Sequence, residues 1–218
     1  MSTEIRIVIA DDHPVFRKGL LSVIETDQRL KIVGEAQDGE VALVQIQTLR
    51  PDVAILDLEM PIKDGLEVMQ TIQEKKLPVV VVFLTGHKDE RLFNAAMDRG
   101  AKGYVLKDSA VNDIVASIRA VSSGQHFISP EMSSYSLNRR DRQDKLRAQN
   151  PGLERLTATE RQVLRLIAAN KTSKGIADDL YISPRTVDKH RANITEKLEL
   201  HGSHALLNFA LGHKSELS

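Results

Sequence analysis

The feature that most constrains the fold is a regular alternation of short β-rich apolar runs with amphipathic stretches in the first half of the chain. Five runs predict strands, at residues 5–10, 31–36, 53–58, 79–84 and 103–107. Each is followed by a stretch with helical apolar spacing, at about 15–25, 39–48, 65–75, 90–99 and 111–123. This pattern predicts a doubly wound, five-stranded parallel α/β sheet with helices on both faces.

The pattern changes after residue 124. Residues 129–152, SPEMSSYSLNRRDRQDKLRAQNPG, are polar and dense in charge, which predicts a linker with one helical piece near 139–148. From residue 153 onward the apolar spacing is helical throughout, and four helices are expected. The sequence therefore predicts an α/β domain at 1–124, a linker at 125–152 and a small all-α domain at 153–218.

The two halves also differ in charge, although the formal net charge is zero. Residues 1–122 carry 15 Lys and Arg against 19 Asp and Glu, whereas residues 123–218 carry 15 against 11. A basic half suits a partner that carries phosphate. The chain has no cysteine, which excludes disulfides and thiolate chemistry. With no apolar run of membrane-spanning length, a cytoplasmic protein without membrane partners is expected.

Side chains suited to phosphate chemistry follow four of the five predicted strands. Asp11 and Asp12 follow the first strand, Asp57 the third, Thr85 the fourth and Lys107 the fifth. Functional groups of such sheets lie at the carboxyl ends of the strands, where these side chains would converge. Clustered carboxylates favour a hard cation such as Mg²⁺. An Asp can act as a covalent nucleophile, so the set predicts phosphoryl transfer to Asp57.

Each of these residues also has a more ordinary interpretation when it is taken alone. An Asp after a strand is most often a helix cap or a turn residue. Thr85 can be a turn hydroxyl, and Lys107 can be a solvated charge. The prediction of a phosphoryl-transfer site depends on the ordered set at four strand ends.

Five segments, IADDHP, ILDLEMP, GLEVM, LTGH and GYVLKD, resemble the receiver domain of bacterial two-component response regulators over about residues 4–123. The resemblance implies a flavodoxin-like fold in which Asp57 accepts a phosphoryl group from a sensor histidine kinase or a small phosphodonor. It implies Mg²⁺ ligation by Asp12, Asp57 and the backbone carbonyl of Glu59. Asp11 would act on the ion directly or through water.

The same resemblance implies a switch around the phosphorylated residue. Lys107 would contact the phosphoryl group, Thr85 would move to hydrogen-bond it, and Tyr104 would swing inward behind Thr85. Phosphorylation replaces one negative charge with about two and adds three acceptor oxygens. These changes would bias a two-state face of the domain.

Two of the predicted C-terminal helices have the shape of a helix-turn-helix. TSKGIADDL and SPRTVDKHRANITEKL are joined by YI, and Ser183 and Pro184 suit the start of the second helix. Such a second helix places its N-terminal residues in the major groove of DNA. Basic residues on a helix are more ordinarily a solvated face, so the pattern alone does not decide for DNA.

The segment from LTATERQ to TEKLEL closely resembles the LuxR-type helix-turn-helix, over about Leu156–Ala210. With the receiver in front, the whole chain resembles response regulators of the NarL/FixJ class. One set of residues is then expected at the DNA surface: Lys174, Arg185, Thr186, Val187, Lys189, His190 and Arg191. The resemblance also implies that the final helix, about 203–211, packs against its twin in a DNA-bound homodimer. Leu206, Leu207 and Ala210 are the candidates there, although an apolar stripe is equally consistent with core.

Two positions depart from the family pattern, and the role of a third residue is open. Gly175 stands where Glu is usual, so a capping box that begins at Thr172 lacks its acidic half, and Gly within a helix costs about 1 kcal/mol relative to Ala. Thr159 stands where Arg is common. Asp188 could repel phosphate or accept a hydrogen bond from a cytosine amino group.

The sequence therefore predicts a transcription factor rather than an enzyme. Phosphorylation of Asp57 by a sensor histidine kinase would promote dimerisation and binding to paired DNA half-sites, with RNA polymerase as a further partner. One alternative is a haloacid-dehalogenase-type phosphatase, but its Asp-x-Asp motif is Asp57-x-Glu59 here and no cap domain is inserted. The other is a DNA-binding protein whose receiver dimerises without phosphorylation, against which the complete acidic set argues.

Overall fold

The structure is a computed structural model that describes residues 4–217, and it divides them into two units between Tyr135 and Ser136. All strands lie in the first unit and form one parallel sheet in the order β2-β1-β3-β4-β5-β6. Their bounds are β1 Ile5–Ala10, β2 Leu30–Ala36, β3 Val53–Asp57, β4 Val80–Thr85, β5 Gly103–Leu106 and β6 Phe127–Ile128. The predicted parallel sheet is confirmed, with β6 as an additional edge strand.

Five helices cover the two faces of this sheet: α1 Pro14–Ile24, α2 Gly39–Leu49, α3 Gly65–Glu74, α4 Glu90–Asp98 and α5 Ala110–Ser122. Three of them begin at an Asp that caps the helix. Asp38, Asp64 and Asp89 each accept a hydrogen bond from a backbone N–H of the first turn. Such caps satisfy amide groups that have no partner within the helix.

The central strands are buried on both faces because successive side chains point to opposite sides of the sheet. In β3, Ala54 and Leu56 belong to one apolar cluster, whereas Val53 and Ile55 belong to the other. Helices α2, α3 and α4 contribute to the first cluster, and α1 and α5 contribute to the second. This two-sided burial leaves only the strand ends for functional polar groups.

The remaining helices are α6 Ser133–Gln149, α7 Ala158–Ala168, α8 Ser173–Leu180, α9 Pro184–Lys197, α10 Ala205–Gly212 and α11 Lys214–Leu217. Helices α7 to α10 are the four that the sequence predicted, and α11 adds four residues. The helical piece predicted near 139–148 is longer than expected, because α6 spans 17 residues. It is polar on almost all sides, and Leu146 is its one fully buried residue. Among residues 4–217 no helix is long and apolar enough to cross a membrane.

Candidate functional sites

The predicted acidic residues meet at the carboxyl ends of β1 and β3. Asp11, Asp12, His13 and Asp57 each offer a ligand atom, and these atoms all lie within 4.8 Å of one another. Asp11 and Asp57 are 0% and 2% exposed, whereas Asp12 is open to solvent. A buried pair of carboxylates beside an exposed one is a donor set that suits a hard cation.

Lys107 joins this cluster from the end of β5. Its Nζ lies 2.6 Å from Asp57 Oδ2 and 2.9 Å from Asp11 Oδ2. Burial raises the pKa of the Asp57 carboxyl group above its ordinary value, and the hydrogen bond from Lys107 only partly offsets this. Burial opposes the charge of Lys107, but the two carboxylates outweigh it and raise the pKa of Lys107. The ammonium group therefore stays charged beside its two acids.

The backbone that follows β3 is held tightly against Asp57. The Asp57 Oδ1 atom accepts a hydrogen bond from Glu59 N at 3.2 Å, and Gly65 N donates to Leu58 O at 3.1 Å. A Cβ atom at residue 65 would collide with the carbonyl oxygen of Asp57 and lie 3.1 Å from its carbonyl carbon. Only glycine allows α3 to start this close to the phosphoacceptor candidate.

Three exposed side chains next to this acidic cluster form ion pairs, two of them with each other and one with an acid of the cluster. The carboxylate of Glu59 lies 3.3 Å from His87 Nε2, whereas the ligand implied by the family resemblance is the Glu59 backbone carbonyl. His13 Nδ1 lies 2.7 Å from Asp12 Oδ1. Sequence reasoning singled out neither histidine. The IADDHP motif contains His13, and its position after two acids was the available signal.

The predicted switch residues lie in neighbouring strands. Thr85 is buried at the end of β4, where its Oγ1 atom accepts from His87 N at 3.1 Å and donates to His87 O at 3.3 Å. Tyr104 is fully buried in β5 and meets the Phe93 ring in an edge arrangement, with centroids 5.2 Å apart. Burial raises the pKa of the Tyr104 hydroxyl. The swing of Tyr104 and the movement of Thr85 on phosphorylation both stay predictions.

A serine far along the chain supports the loop that carries Lys107. The Ser129 side chain is fully buried; its Oγ accepts from Leu106 N at 3.2 Å and donates to Asp113 Oδ2 at 2.6 Å. Ser109 donates to the same carboxylate oxygen at 2.9 Å. Sequence reasoning assigned Ser129 to the linker, because nothing in its local pattern indicates this tertiary contact.

In the second unit, the order of α8, a short turn and α9 forms the predicted helix-turn-helix. Tyr181 ends α8 in the left-handed conformation, with φ of 55°. Ser183 then caps α9 by accepting from Thr186 N at 3.1 Å, and Pro184 takes the first helical position. Pro at this position has no N–H to lose. The turn chemistry therefore explains why the second helix starts where it does.

The candidate DNA-binding residues separate by exposure. Lys174, Arg185 and Lys189 are exposed, and Thr186, His190 and Arg191 are partly buried. Val187 is 0% exposed and packs in the core cluster with Ile176 and Ile194. The prediction that Val187 lies at the DNA surface is therefore corrected, because its side chain points into the helical unit.

The candidate dimerisation residues need a similar correction. Leu206 and Ala210 are 7% and 0% exposed and belong to the core of the second unit, and Leu207 is partly buried. The apolar stripe of α10 thus faces inward at two of its three predicted positions. Of the three, only Leu207 keeps part of its surface for a partner.

Gly175, which departs from the family pattern, and Asp188, whose role was left open, both make hydrogen bonds within the helix-turn-helix. Thr172 Oγ1 accepts from Gly175 N at 3.2 Å, so half of the capping box is retained without its acidic partner. Asp188 Oδ1 accepts from Ser173 Oγ at 2.9 Å, which ties the start of α8 to α9. Asp188 therefore braces the motif, whatever it does towards DNA.

Comparison with known proteins agrees with this arrangement. The family model of the response regulator receiver domain matches residues 7–119. The family model of the bacterial regulatory proteins of the luxR family matches residues 154–210. A similar relative is the probable transcriptional regulatory protein NarL of Mycobacterium tuberculosis. It is 36% identical over 195 residues, which cover 89% of this chain and 88% of the relative.

Two solved structures extend the similarity over nearly the whole chain. The complex of the response regulator RcsB with DNA is 27% identical, with a TM-score of 0.59, and covers 96% of this chain and 98% of RcsB. A structure of two RcsB dimers bound to two parallel DNAs is also 27% identical, with a TM-score of 0.57, and covers 95% of this chain and 98% of that chain.

The fold, the acidic site and these matches place the protein in the class of DNA-binding transcriptional regulators. The phosphatase alternative is therefore excluded. The chain belongs to the two-component response regulators that join a receiver domain to a LuxR-type helix-turn-helix, as its sequence motifs predicted.

Proposed function

We propose that phosphorylation of Asp57 by a sensor histidine kinase switches this cytoplasmic regulator into a homodimer that binds paired DNA half-sites. The observation that carries the proposal is the Asp57 carboxylate, which is buried at the end of β3 and held 2.6 Å from the Lys107 ammonium. An ordinary cap or turn residue has no need of such an arrangement, because it is satisfied by backbone N–H groups.

The residues present fit a Mg²⁺ ion. Asp11, Asp12 and Asp57 would hold it together with the backbone carbonyl of Glu59, all through oxygen atoms. When bound, the ion would supply positive charge to the carboxylates and to the oxygens of the transferred group. His13 Nδ1 lies close to the Asp12 carboxylate and can keep that side chain oriented.

In the proposed reaction, a carboxylate oxygen of Asp57 attacks the phosphorus of a phosphohistidine. The P–N bond breaks, its electron pair stays on the imidazole nitrogen, and an acyl phosphate forms on Asp57. Lys107 already donates to Asp57 Oδ2 and would bond to a phosphoryl oxygen. The Thr85 hydroxyl would exchange the bond that it donates to His87 O for one to the phosphoryl group.

The DNA surface is proposed to consist of the exposed and partly buried members of the predicted set. Arg185 and Lys189 lie on the early turns of α9 and are free to meet phosphates or guanine edges. Thr186, His190 and Arg191 are proposed to complete the surface, with Lys174 beside it on α8. Leu207 is the remaining candidate at the dimer contact, and RNA polymerase is the expected further partner.

The test is intact mass spectrometry after incubation with Mg²⁺ and acetyl phosphate, for the wild type and Asp57→Asn. A gain of one phosphoryl group in the wild type alone is expected. The same samples are then compared for dimerisation and for affinity to DNA that the wild type selects from a random pool. If DNA affinity is equal in both proteins under phosphodonor, the receiver works without phosphorylation and the proposal fails.

A further inference from the structure

The residues that follow α5 pack against the strand that carries the switch tyrosine. Strand β6 pairs Phe127 with Gly103 and Ile128 with Tyr104, and Ser129 N donates to Tyr104 O at 2.9 Å. Met132 is fully buried in the same apolar cluster as Tyr104. Each of these contacts is made by a residue beyond residue 119, where the match to the receiver family ends.

Tyr135 is the last residue of the first unit and the third residue of α6. Its hydroxyl donates to the backbone carbonyl of Lys88 at 3.0 Å. Its ring centroid lies 6.0 Å from that of Phe93, whose other neighbour is the Tyr104 ring at 5.2 Å. Tyr135 therefore contacts both the backbone of a loop and one ring of an aromatic pair.

One contact of Tyr135 is made to a loop that the proposed switch must rearrange. Lys88 belongs to the loop between β4 and α4, and in that loop the Thr85 hydroxyl donates to His87 O and accepts from His87 N. The Thr85 hydroxyl has one proton, so it cannot donate to His87 O while it donates to a phosphoryl group on Asp57. The bond between Tyr135 and Lys88 is therefore made in the arrangement in which Thr85 still binds its own loop.

We propose that Tyr135 is a positioning residue that holds the start of α6 to the unphosphorylated form of the β4–α4 loop. This inference rests on the proposed function, because it assigns the regulation of the same site. Phosphorylation of Asp57 draws Thr85 away from His87, the Lys88 carbonyl shifts, and the restraint on α6 is released. Helix α6 begins in the receiver unit and continues into the DNA-binding unit. The receiver can therefore act on this helix through the contacts of its first residues.

If Tyr135 stabilises only the unphosphorylated form, removal of its hydroxyl must change DNA affinity in one defined direction. Removal of the Tyr135 hydroxyl weakens only the restrained state, so the active state becomes more populated without phosphate. DNA affinity of the unphosphorylated chain should rise by about three- to tenfold, the range of one neutral hydrogen bond. Affinity of the fully activated chain should stay the same, because the restraint is already released there.

The experiment compares full-length wild type, Tyr135→Phe and the matched control Ser134→Ala. Ser134 is an exposed neighbour on the same turn of α6, so its variant also removes one hydroxyl group. The DNA is the sequence that the wild type selects from a random pool. Affinity is measured with and without Mg²⁺ and beryllofluoride, which mimics the phosphoryl group. The activation ratio is the DNA affinity with beryllofluoride divided by the DNA affinity without it. Tyr135→Phe should lower this ratio by about three- to tenfold, and Ser134→Ala should leave it at the wild-type value.

A second readout separates positioning from a merely structural role. If Tyr135 biases the switch, beryllofluoride itself should bind Tyr135→Phe more tightly than wild type by the same factor in calorimetric titration, since the two equilibria are linked. A merely structural defect would instead weaken the binding of both DNA and beryllofluoride. Tyr135→Leu, which also removes the ring contact with Phe93, should lower the activation ratio further.

The outcomes distinguish this inference from the proposed function. An activation ratio near one in the wild type would overturn the proposed function and the inference with it. A clear ratio in the wild type that is unchanged in Tyr135→Phe would overturn the inference alone. Equal losses of affinity with and without beryllofluoride would also overturn it, because they would show that Tyr135 contributes only to stability.

Discussion

The acidic site of the first unit and the proposed DNA-binding surface of the second unit differ in how far their charged groups are exposed to solvent. Asp11, Asp57 and Thr85 are almost fully buried, and Lys107 already spans the two acids. Arg185 and Lys189, in contrast, extend into solvent from α9. A buried charge depends on its neighbours for its state, whereas a solvated charge is available to any phosphate that approaches. The first arrangement suits a chemical switch, and the second suits recognition.

This contrast predicts that a single change in the buried cluster has the largest effect on function. Lys107→Ala would remove the positive charge next to Asp57 and Asp11 and is expected to slow phosphorylation about 100-fold. The rate is measured from the gain in mass with acetyl phosphate and Mg²⁺. Lys18→Ala, an exposed lysine on α1, serves as the control and should phosphorylate at the wild-type rate. Equal rates in the two variants would contradict the role given to Lys107.

A second prediction tests which residues of α9 belong to the core. Val187→Ala should destabilise the helical unit by about 2 kcal/mol, because it leaves a cavity beside Ile176 and Ile194. Lys189→Ala should leave stability nearly unchanged but reduce the slope of DNA affinity against salt by about one. Hydrogen exchange of the α7 and α9 amides measures the first effect, and DNA titrations at several salt concentrations measure the second. The reverse pattern would place Val187 at the DNA.

Glu160 is a buried charge in the helical unit, so the contrast between the two units is not complete. The pH dependence of stability tests its ionisation. Burial alone would raise the pKa of Glu160, but Lys197, 2.6 Å away, and the N-cap Thr157 outweigh it and lower the pKa from 4.5 to about 2. A lowered pKa in the folded state means that stabilisation is complete above about pH 5 and is lost as the pH falls from about 4.5 towards 2.

Glu160→Gln should therefore cost about 1–3 kcal/mol of stability at neutral pH and much less near pH 2.5. Urea titrations followed by circular dichroism at the two pH values provide the measurement. Glu196→Gln changes an exposed carboxylate next to Lys197 and should have little effect at either pH. A cost for Glu160→Gln that is the same at both pH values would argue against the ionised pair.

The smallest expected effect concerns the unusual glycine of α8. A Cβ atom at residue 175 would meet only Thr172 Oγ1, at an ordinary contact distance of 3.6 Å. Gly175→Ala should stabilise the helical unit by about 1 kcal/mol, since alanine loses less backbone entropy in a helix. Denaturant unfolding of the full chain measures the gain. A loss of stability would mean that the glycine is required for a contact with another residue.

The two regions also differ in how far their sequences predicted them. At a strand end, the alternation of side chains and the order of the strands determine which residues meet, so Asp11, Asp57 and Lys107 could be placed together from spacing alone. On α9, each residue is rotated by about 100° from the last, and the inward face depends on how α7, α8 and α9 pack. Val187 was therefore placed on the wrong side although its helix was predicted correctly.

Elements without an internal pattern were the hardest to predict. Strand β6 has two residues, too few to show a period of two. Helix α6 buries only Leu146 and so lacks the apolar spacing that reveals a helix. The role of Ser129 depends on Leu106 and Asp113, both distant in sequence, and no local motif marks it.

The close approach of Gly65 to the Asp57 carbonyl has a consequence for how such sites are recognised in other chains. A methyl group at residue 65 would push α3 away from the end of β3 and displace Asp57, the proposed phosphoacceptor, although every acid, hydroxyl and lysine of the site would still be in the sequence. A chain can therefore keep a full inventory of reactive groups and still lose the ability to assemble them. The position that decides between these two cases carries no functional group at all.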